Sequence, residues 1–274
     1  MRRRTIVVTK TFRQFAAIPY VLWLLLFVIA PLALIFYQSF FSIDGTATLA
    51  NYLTYFTNWT YLKMTFNSIV FATIITVVTL VIAYPTAYFL QKTKHKELWL
   101  LLLILPTWIN ILLKAYAFIG IFSHDASVNQ FLTFLGVGPQ QILFTNTSFI
   151  LVAAYIELPF MILPVYNAID DISDSYIVAS RDLGASRWQT LTRIVIPLSM
   201  SGIKSGVQAI FIPSLSLFML TRLIGGNRVI TLGTAVEQHF LVTQNWGMGS
   251  TIGVVLIIMM IILMRLTTQR KGRH

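Results

Sequence analysis

Ala179-Ser-Arg-Asp-Leu-Gly-Ala-Ser186, followed by Ile194-Val-Ile-Pro197, is a polar, arginine-bearing stretch set between two strongly apolar segments. Asp170, Asp171, Asp174 and Ser175 lie just before it and suit a helix N-terminus, where exposed N–H groups favour hydroxyl and acidic side chains. Gly184 is placed to end that helix, because glycine enters the left-handed conformation of a C-terminal cap without a Cβ penalty. Ser186 then caps a second helix that begins at Arg187-Trp188 and runs through Leu191 and Ile194 toward Pro197. The sequence thus predicts a helix, a tight turn and a second helix over about residues 170–200. Such an amphipathic hairpin admits two readings. It seats in a groove of another protein, or it lies on a membrane surface.

Composition supplies the surroundings. Hydrophobic residues make up 57% of the 274 positions and charged residues 11%, against roughly 45–50% and about 25% in soluble domains. The fold class is therefore an all-α integral membrane protein, expected as a single transmembrane domain over residues 1–274 with an N-terminal arm at about 1–16. There is no cysteine, and the four histidines (His95, His124, His239, His274) are scattered rather than paired at ligand spacing, so no metal site is expected.

A span needs about 20 predominantly apolar residues. Six candidates meet this: Ile18–Tyr37, Ile69–Leu90, Leu98–Phe122, Phe149–Tyr166, Ile203–Leu223 and Met248–Met264. Glu157, Pro159 and Pro164 interrupt the fourth, and Lys204, Pro213 and several serines dilute the fifth. Such interruptions are tolerated where a helix packs against protein rather than lipid, so these two are expected to face the interior. Pro106 and Pro213 are expected to kink their helices. The first run is longer than the apolar core of a signal peptide, about 7–15 residues, and no small-x-small site follows it, so it is expected to be retained.

The net charge of +11 is asymmetric across these spans. Arg2, Arg3, Arg4, Lys10 and Arg13 precede the first; Lys92, Lys94 and Lys96 follow the second; Arg181, Arg187, Arg193 and Lys204 surround the hairpin; Arg265, Arg270, Lys271 and Arg273 end the chain. Only Lys63, Arg222 and Arg228 fall on the opposite side, with Lys114 inside a span. The positive-inside rule then puts both termini and the hairpin in the cytoplasm. A nucleic-acid surface would instead show a continuous basic stripe. On the other face, Phe40–Phe66 is rich in tyrosine and tryptophan, as interfacial segments are. Ser123–Thr145 and Gly225-Gly226-Asn227 carry turn signals.

The hairpin resembles the cytoplasmic loop of ABC-importer permeases, which reads Glu-Ala-Ala, three residues, Gly, nine residues, Ile-x-Leu-Pro. Here Ala179, Gly184, Ile194 and Pro197 match, while Val178 replaces the glutamate, Ser180 the second alanine and Ile196 the leucine. Asp182-Leu-Gly-Ala185-Ser186 is also common in that family. The resemblance extends over roughly residues 15–265. Leu105-Pro-Thr-Trp-Ile-Asn110 with Lys114-Ala-Tyr-Ala-Phe118, Leu158-Pro-Phe-Met-Ile-Leu-Pro164 with Tyr166-Asn167, Pro213-Ser214-Leu215, Leu223-Ile-Gly-Gly226, and Asn245-Trp246-x-x-Gly249 are similar to the polyamine-importing branch.

That resemblance implies a six-helix permease of the type I importer fold in a bacterial cytoplasmic membrane. It implies a pair of ATP-binding subunits, a second related permease and an external substrate-binding protein as partners, with spermidine and putrescine as solutes. The chain has no Gly-x-x-x-x-Gly-Lys-Ser/Thr phosphate loop, so ATP and its Mg²⁺ are expected on the partner ATPase, and this chain is expected to be no enzyme. Val178, Ala179, Ser180, Asp182, Gly184, Ala185, Ser186, Ile194 and Pro197 would form the coupling loop. Loss of the motif glutamate removes one polar contact expected at the ATPase groove.

Ionisable groups inside spans are the default candidates for a pathway, since each costs ~2.5–3.5 kcal/mol to place at the bilayer centre. Glu157 and Lys114 are the two strongest here. A polyamine is polycationic, so Glu157, with Trp108, Tyr116 and Tyr155 as aromatic partners, would form a weak cation site. Equally, Glu157 and Lys114 would simply pair and fix helix packing. Two other function classes stand beside the polyamine reading. One is the same architecture importing iron, thiamine or a phosphonate. The other is a self-sufficient channel or secondary carrier, which calls for inverted repeats and further midplane acids that the sequence does not display.

Overall fold

The computed structural model describes residues 10–226 and 228–267; Arg2–Arg4, Asn227 and Arg270–Arg273 lie outside them. The first apolar run forms α1 (Lys10–Leu24), a π-helical turn (Leu25–Ile29) and α2 (Ala30–Gln38). A short hairpin closed by the Phe41–Ala47 bridge leads to α3 (Ala50–Thr57). The long α4 (Trp59–Gln91) begins where the Asn58 side chain accepts the Thr60 N–H. It therefore starts ten residues before the expected Ile69, and its 33 residues reach about 50 Å. Its two ends define the two ends of the bundle.

The third apolar segment is not one helix. α5 (Lys96–Ile104) passes into a 3₁₀ turn (Leu105–Trp108), and α6 (Ile111–Phe122) starts afresh. Pro106 supplies no N–H, Ile109 is extended, and the Asn110 side chain accepts the Leu112 N–H at 2.8 Å, capping a new helix. α7 (Ser127–Phe134) follows, and the apolar stretch long enough to cross is Ile111–Phe134 rather than 98–122.

α8 (Asn146–Asp170) opens with a reciprocal Thr145–Ser148 capping box and runs unbroken through Pro159 and Pro164. It carries the most buried apolar stretch of the spans, 61% against none for Ala17–Gln38. The expectation that its polar interruptions face protein is met. α9 (Asp174–Asp182), α10 (Arg187–Thr190), a π turn (Leu191–Val195) and α11 (Ile196–Leu198) follow, then α12 (Met200–Ser214). The chain bends by 63° between Arg187–Leu198 and Met200–Ser214, so a sixth crossing exists only if this bent pair is counted as one. The expected fifth span, 203–223, is interrupted: α12 ends just past Pro213, and α13 (Phe218–Leu223) is separate. α14 (Leu232–Glu237), a π turn (Gln238–Val242) and α15 (Trp246–Thr267) complete the described chain.

The centre is α4, α8 and α12 packed together, with α15 against α2, α3 and α14. Gly202, Gly206, Ile210 and Ser214 are buried and recur every four residues, so they form one stripe on α12. A Cβ on Gly202 would overlap the Pro164 carbonyl, and one on Gly206 would overlap the Met161 sulfur. Glycines four apart let two helix backbones approach closely where no hydrophobic force separates protein from lipid.

Candidate functional site: a capped helical hairpin and a buried acid

The hairpin is assembled from local hydrogen bonds. The Ser173 hydroxyl accepts the Ser175 N–H and starts α9. At the other end Gly184 has φ +81°. Its N–H donates to the Arg181 carbonyl at 2.8 Å and the Ala185 N–H to the Ser180 carbonyl at 3.0 Å. These two bonds define a Schellman cap and satisfy carbonyls that the helix end would leave free. Ser186 and Gln189 exchange a capping box at the start of α10, with the Ser186 N–H donating to Gln189 Oε1 at 2.8 Å. Helix, glycine turn and capped helix thus stand where the residue pattern put them.

Two buried hydroxyls, neither distinguished in the sequence reading as a fastener, hold the hairpin shut. Ser180 Oγ lies 3.0 Å from Thr190 Oγ1, and Thr190 also donates to the Ser186 carbonyl. Ser180, the substitute for the second motif alanine, therefore ties α9 to α10. Farther along, Ser199 is fully buried at the 63° bend, and its Oγ sits 3.0 Å from the Tyr84 hydroxyl of α4. Val195 is buried in the main core, with Leu191 and Ile172 packed against it. Lys96 bridges Asp170 at 2.9 Å, and this partner raises the lysine pKa. The hairpin is fixed to the spans at several points.

Its other surface is free. Tyr176, Val178, Leu183 and Trp188 are exposed, Leu183 to 89%, as are Ala179, Asp182, Gly184, Ser186 and Pro197. Ala185 and Ile194 are half-buried. Val178, in the place of the motif glutamate, therefore presents a branched apolar group to the outside. A cleft of about 370 Å³ is lined by Ser180, Leu183, Gly184, Ala185, Gln189, Arg193 and Ile194.

Within the spans, Glu157 is buried on α8 at 7% exposure and makes no hydrogen bond or ion pair with a described residue. Lys114 on α6 is half-buried and interacts with it electrostatically without closing to an ion pair. Tyr155 precedes Glu157 by two positions, about 200° around the helix, and is exposed, with its ring edge-to-face on Phe118 at 5.1 Å. Trp108, in the 3₁₀ turn, and Tyr116 are exposed as well. Within this chain, Glu157 and Lys114 come together while the three aromatic candidates lie on outer surfaces.

Comparison with known proteins agrees with this architecture. Residues 54–269 match the family described as binding-protein-dependent transport system inner membrane component. The spermidine/putrescine transport system permease protein PotB of Escherichia coli strain K12 is 38% identical over 248 residues, covering 87% of this chain and 90% of that protein. Its counterpart in Haemophilus influenzae is 34% identical over 251 residues, covering 88% and 87%. A chain of a bacterial alginate ABC transporter, crystallised with an alginate pentasaccharide-bound periplasmic protein, superposes with a TM-score of 0.79 at 16% identity over 94% of this chain and 92% of that one. At that identity the likeness concerns the fold alone. A family match over most of the sequence, together with an all-helical bundle carrying the capped hairpin, leads to one assignment: this chain belongs to the inner-membrane permease components of binding-protein-dependent ABC transport systems.

Proposed function

We propose that the chain is the polyamine-conducting permease subunit of an ATP-driven importer, forming half of the pathway as a single transmembrane domain. Both termini and the 170–200 hairpin face the cytoplasm, where the hairpin meets one of a pair of ATP-binding subunits that carry ATP and Mg²⁺. A second related permease and an external binding protein complete the assembly. The observation that carries this reading is the hairpin itself: rigidly capped, tied to the spans, and exposing Tyr176, Val178, Leu183 and Trp188. An ATPase can drive transport only through an element that binds its states unequally and transmits the difference. A hairpin joined through buried Ser199 to α4 and α12 supplies that linkage. The identity to spermidine/putrescine permeases supports the solute class.

On this reading Glu157 is a weak cation site, since its carboxylate is taken up by neither a hydrogen bond nor an ion pair within the described residues. The test is uptake of labelled spermidine into proteoliposomes holding the complete transporter, with and without ATP and binding protein. Uptake requiring both is expected. Glu157→Gln should raise the KM for spermidine about tenfold, equivalent to ~1.4 kcal/mol, with ATPase coupling retained. ATP-independent uptake by this chain alone would overturn the importer reading, and unchanged kinetics in Glu157→Gln would remove Glu157 from the pathway.

A further inference from the structure

Where the end of α4 meets the hairpin, a cavity of about 280 Å³ is lined by Tyr88, Lys92, Arg181, Arg187 and Thr190. Three cations and two hydroxyl-bearing side chains line it, and among the described residues no carboxylate does. Elsewhere in the chain Lys96 and Arg222 have found carboxylate partners at 2.9 and 2.7 Å. Among the described residues Lys92, Arg181 and Arg187 have none, and the Lys92 ammonium sits instead 3.7 Å from the centre of the Tyr88 ring. All three are exposed, so their mutual repulsion is screened by water, and an anion seated among them would gain attraction from each.

Position narrows the anion. Tyr88 and Lys92 lie in the last turn and at the C-cap of a helix long and apolar enough to cross a membrane, and tyrosine and lysine at span ends commonly meet lipid headgroups. Guanidinium groups grip phosphate through two parallel N–H bonds, and the lysine adds a point charge. A basic pocket beside span ends at this level suits an acidic headgroup. We propose that this cavity binds a phosphate group, supplied by an anionic phospholipid, which lodges between α4 and the hairpin. The site is independent of the solute transported.

Native mass spectrometry of the assembled transporter, titrated with phosphatidylglycerol or phosphatidylcholine, tests it. Phosphatidylglycerol retention should exceed that of phosphatidylcholine. It should fall about thirtyfold in Arg181→Gln/Arg187→Gln, matching ~1 kcal/mol per arginine, and remain in Lys63→Gln at the far end of α4. The same spectra report subunit assembly. Should the double glutamine variant not assemble, Arg181→Lys/Arg187→Lys keeps the charge and loses the fork, and a smaller but clear fall is expected. Competition by inorganic phosphate at millimolar concentration would keep the phosphate site and make the free ion its occupant. Equal retention of both lipids, or of phosphatidylglycerol by wild type and variants, would overturn the proposal. So would loss of the ATP-binding subunit with lipid retention unchanged, which would make the cluster a docking surface for carboxylates of that subunit.

Discussion

Replacing Gly184 by alanine isolates the backbone of the hairpin turn. Gly184 sits at φ +81°, and a Cβ built there meets nothing within 4 Å, so the substitution costs conformational energy and no steric clash. For an L-residue with a Cβ that cost is about 1–2 kcal/mol. The two Schellman bonds, Gly184 N–H to Arg181 and Ala185 N–H to Ser180, persist only in this conformation, so the native turn should lose a factor of about 5–30 in relative population. In proteoliposomes with the complete transporter, Gly184→Ala should lower uptake and raise ATP hydrolysed per solute, while the purified complex keeps its subunits. Asparagine enters the left-handed region more readily than other residues with a Cβ, so Gly184→Asn should recover much of the loss. Valine, β-branched, should be worse than alanine. The order Gly, Asn, Ala, Val is the signature of a backbone effect. Coupling equal to wild type in all three variants, or asparagine as poor as valine, would refute the argument that the positive φ matters.

Four further outcomes follow from the packing. Gly206→Leu forces a side chain into Met161 and should destabilise the α8–α12 contact by about 1–3 kcal/mol, read as a lower unfolding temperature of the purified complex. Gly120→Ala, with nothing within 4 Å of its Cβ, should be neutral or slightly stabilising; equal effects at both glycines would contradict the close-approach account. Tyr84→Phe deletes the hydroxyl on Ser199 at the bend. It should cost about 0.5–1.5 kcal/mol and loosen coupling with solute affinity unchanged, which uptake measured against ATP turnover will check. His239, with Nε2 2.9 Å from the Tyr61 hydroxyl, has its pKa lowered from the ordinary 6.5 by burial. The unfolded chain then takes up the proton first, so stability should be level above that pH and fall as pH drops through and below it. His239→Gln should remove this component from a thermal-melt pH series; an unaltered profile would assign the acid sensitivity elsewhere.

What could be read without coordinates was mostly local. Gly184 as a left-handed stop, Ser186 as a cap and the pair of helices around them depend on neighbours within five residues, and short-range hydrogen bonds hold whatever the rest of the chain does. The first, second, fourth and last spans were equally legible, because transfer of a long apolar run into lipid is a property of composition. The breaks in the other two segments carried their own signals, Pro106 with Asn110 in one and Pro213 in the other. Hydropathy averages over such residues, and whether a helix stops at them depends on the capping bond and the packing available. The Gly202-x-x-x-Gly206 spacing acquires meaning only through contact with Pro164 and Met161. The amino-acid sequence by itself determined that this is a multi-span helical membrane protein bearing a capped polar hairpin, since transfer energies and caps act over a few residues. Only the tertiary structure decided that Ser199 meets Tyr84 across 115 positions, that Glu157 lies buried near Lys114 without an ion pair, and that Lys92 joins Arg181 and Arg187 around one cavity. Those juxtapositions arise from helices packing at long range, and no local pattern encodes which faces will meet.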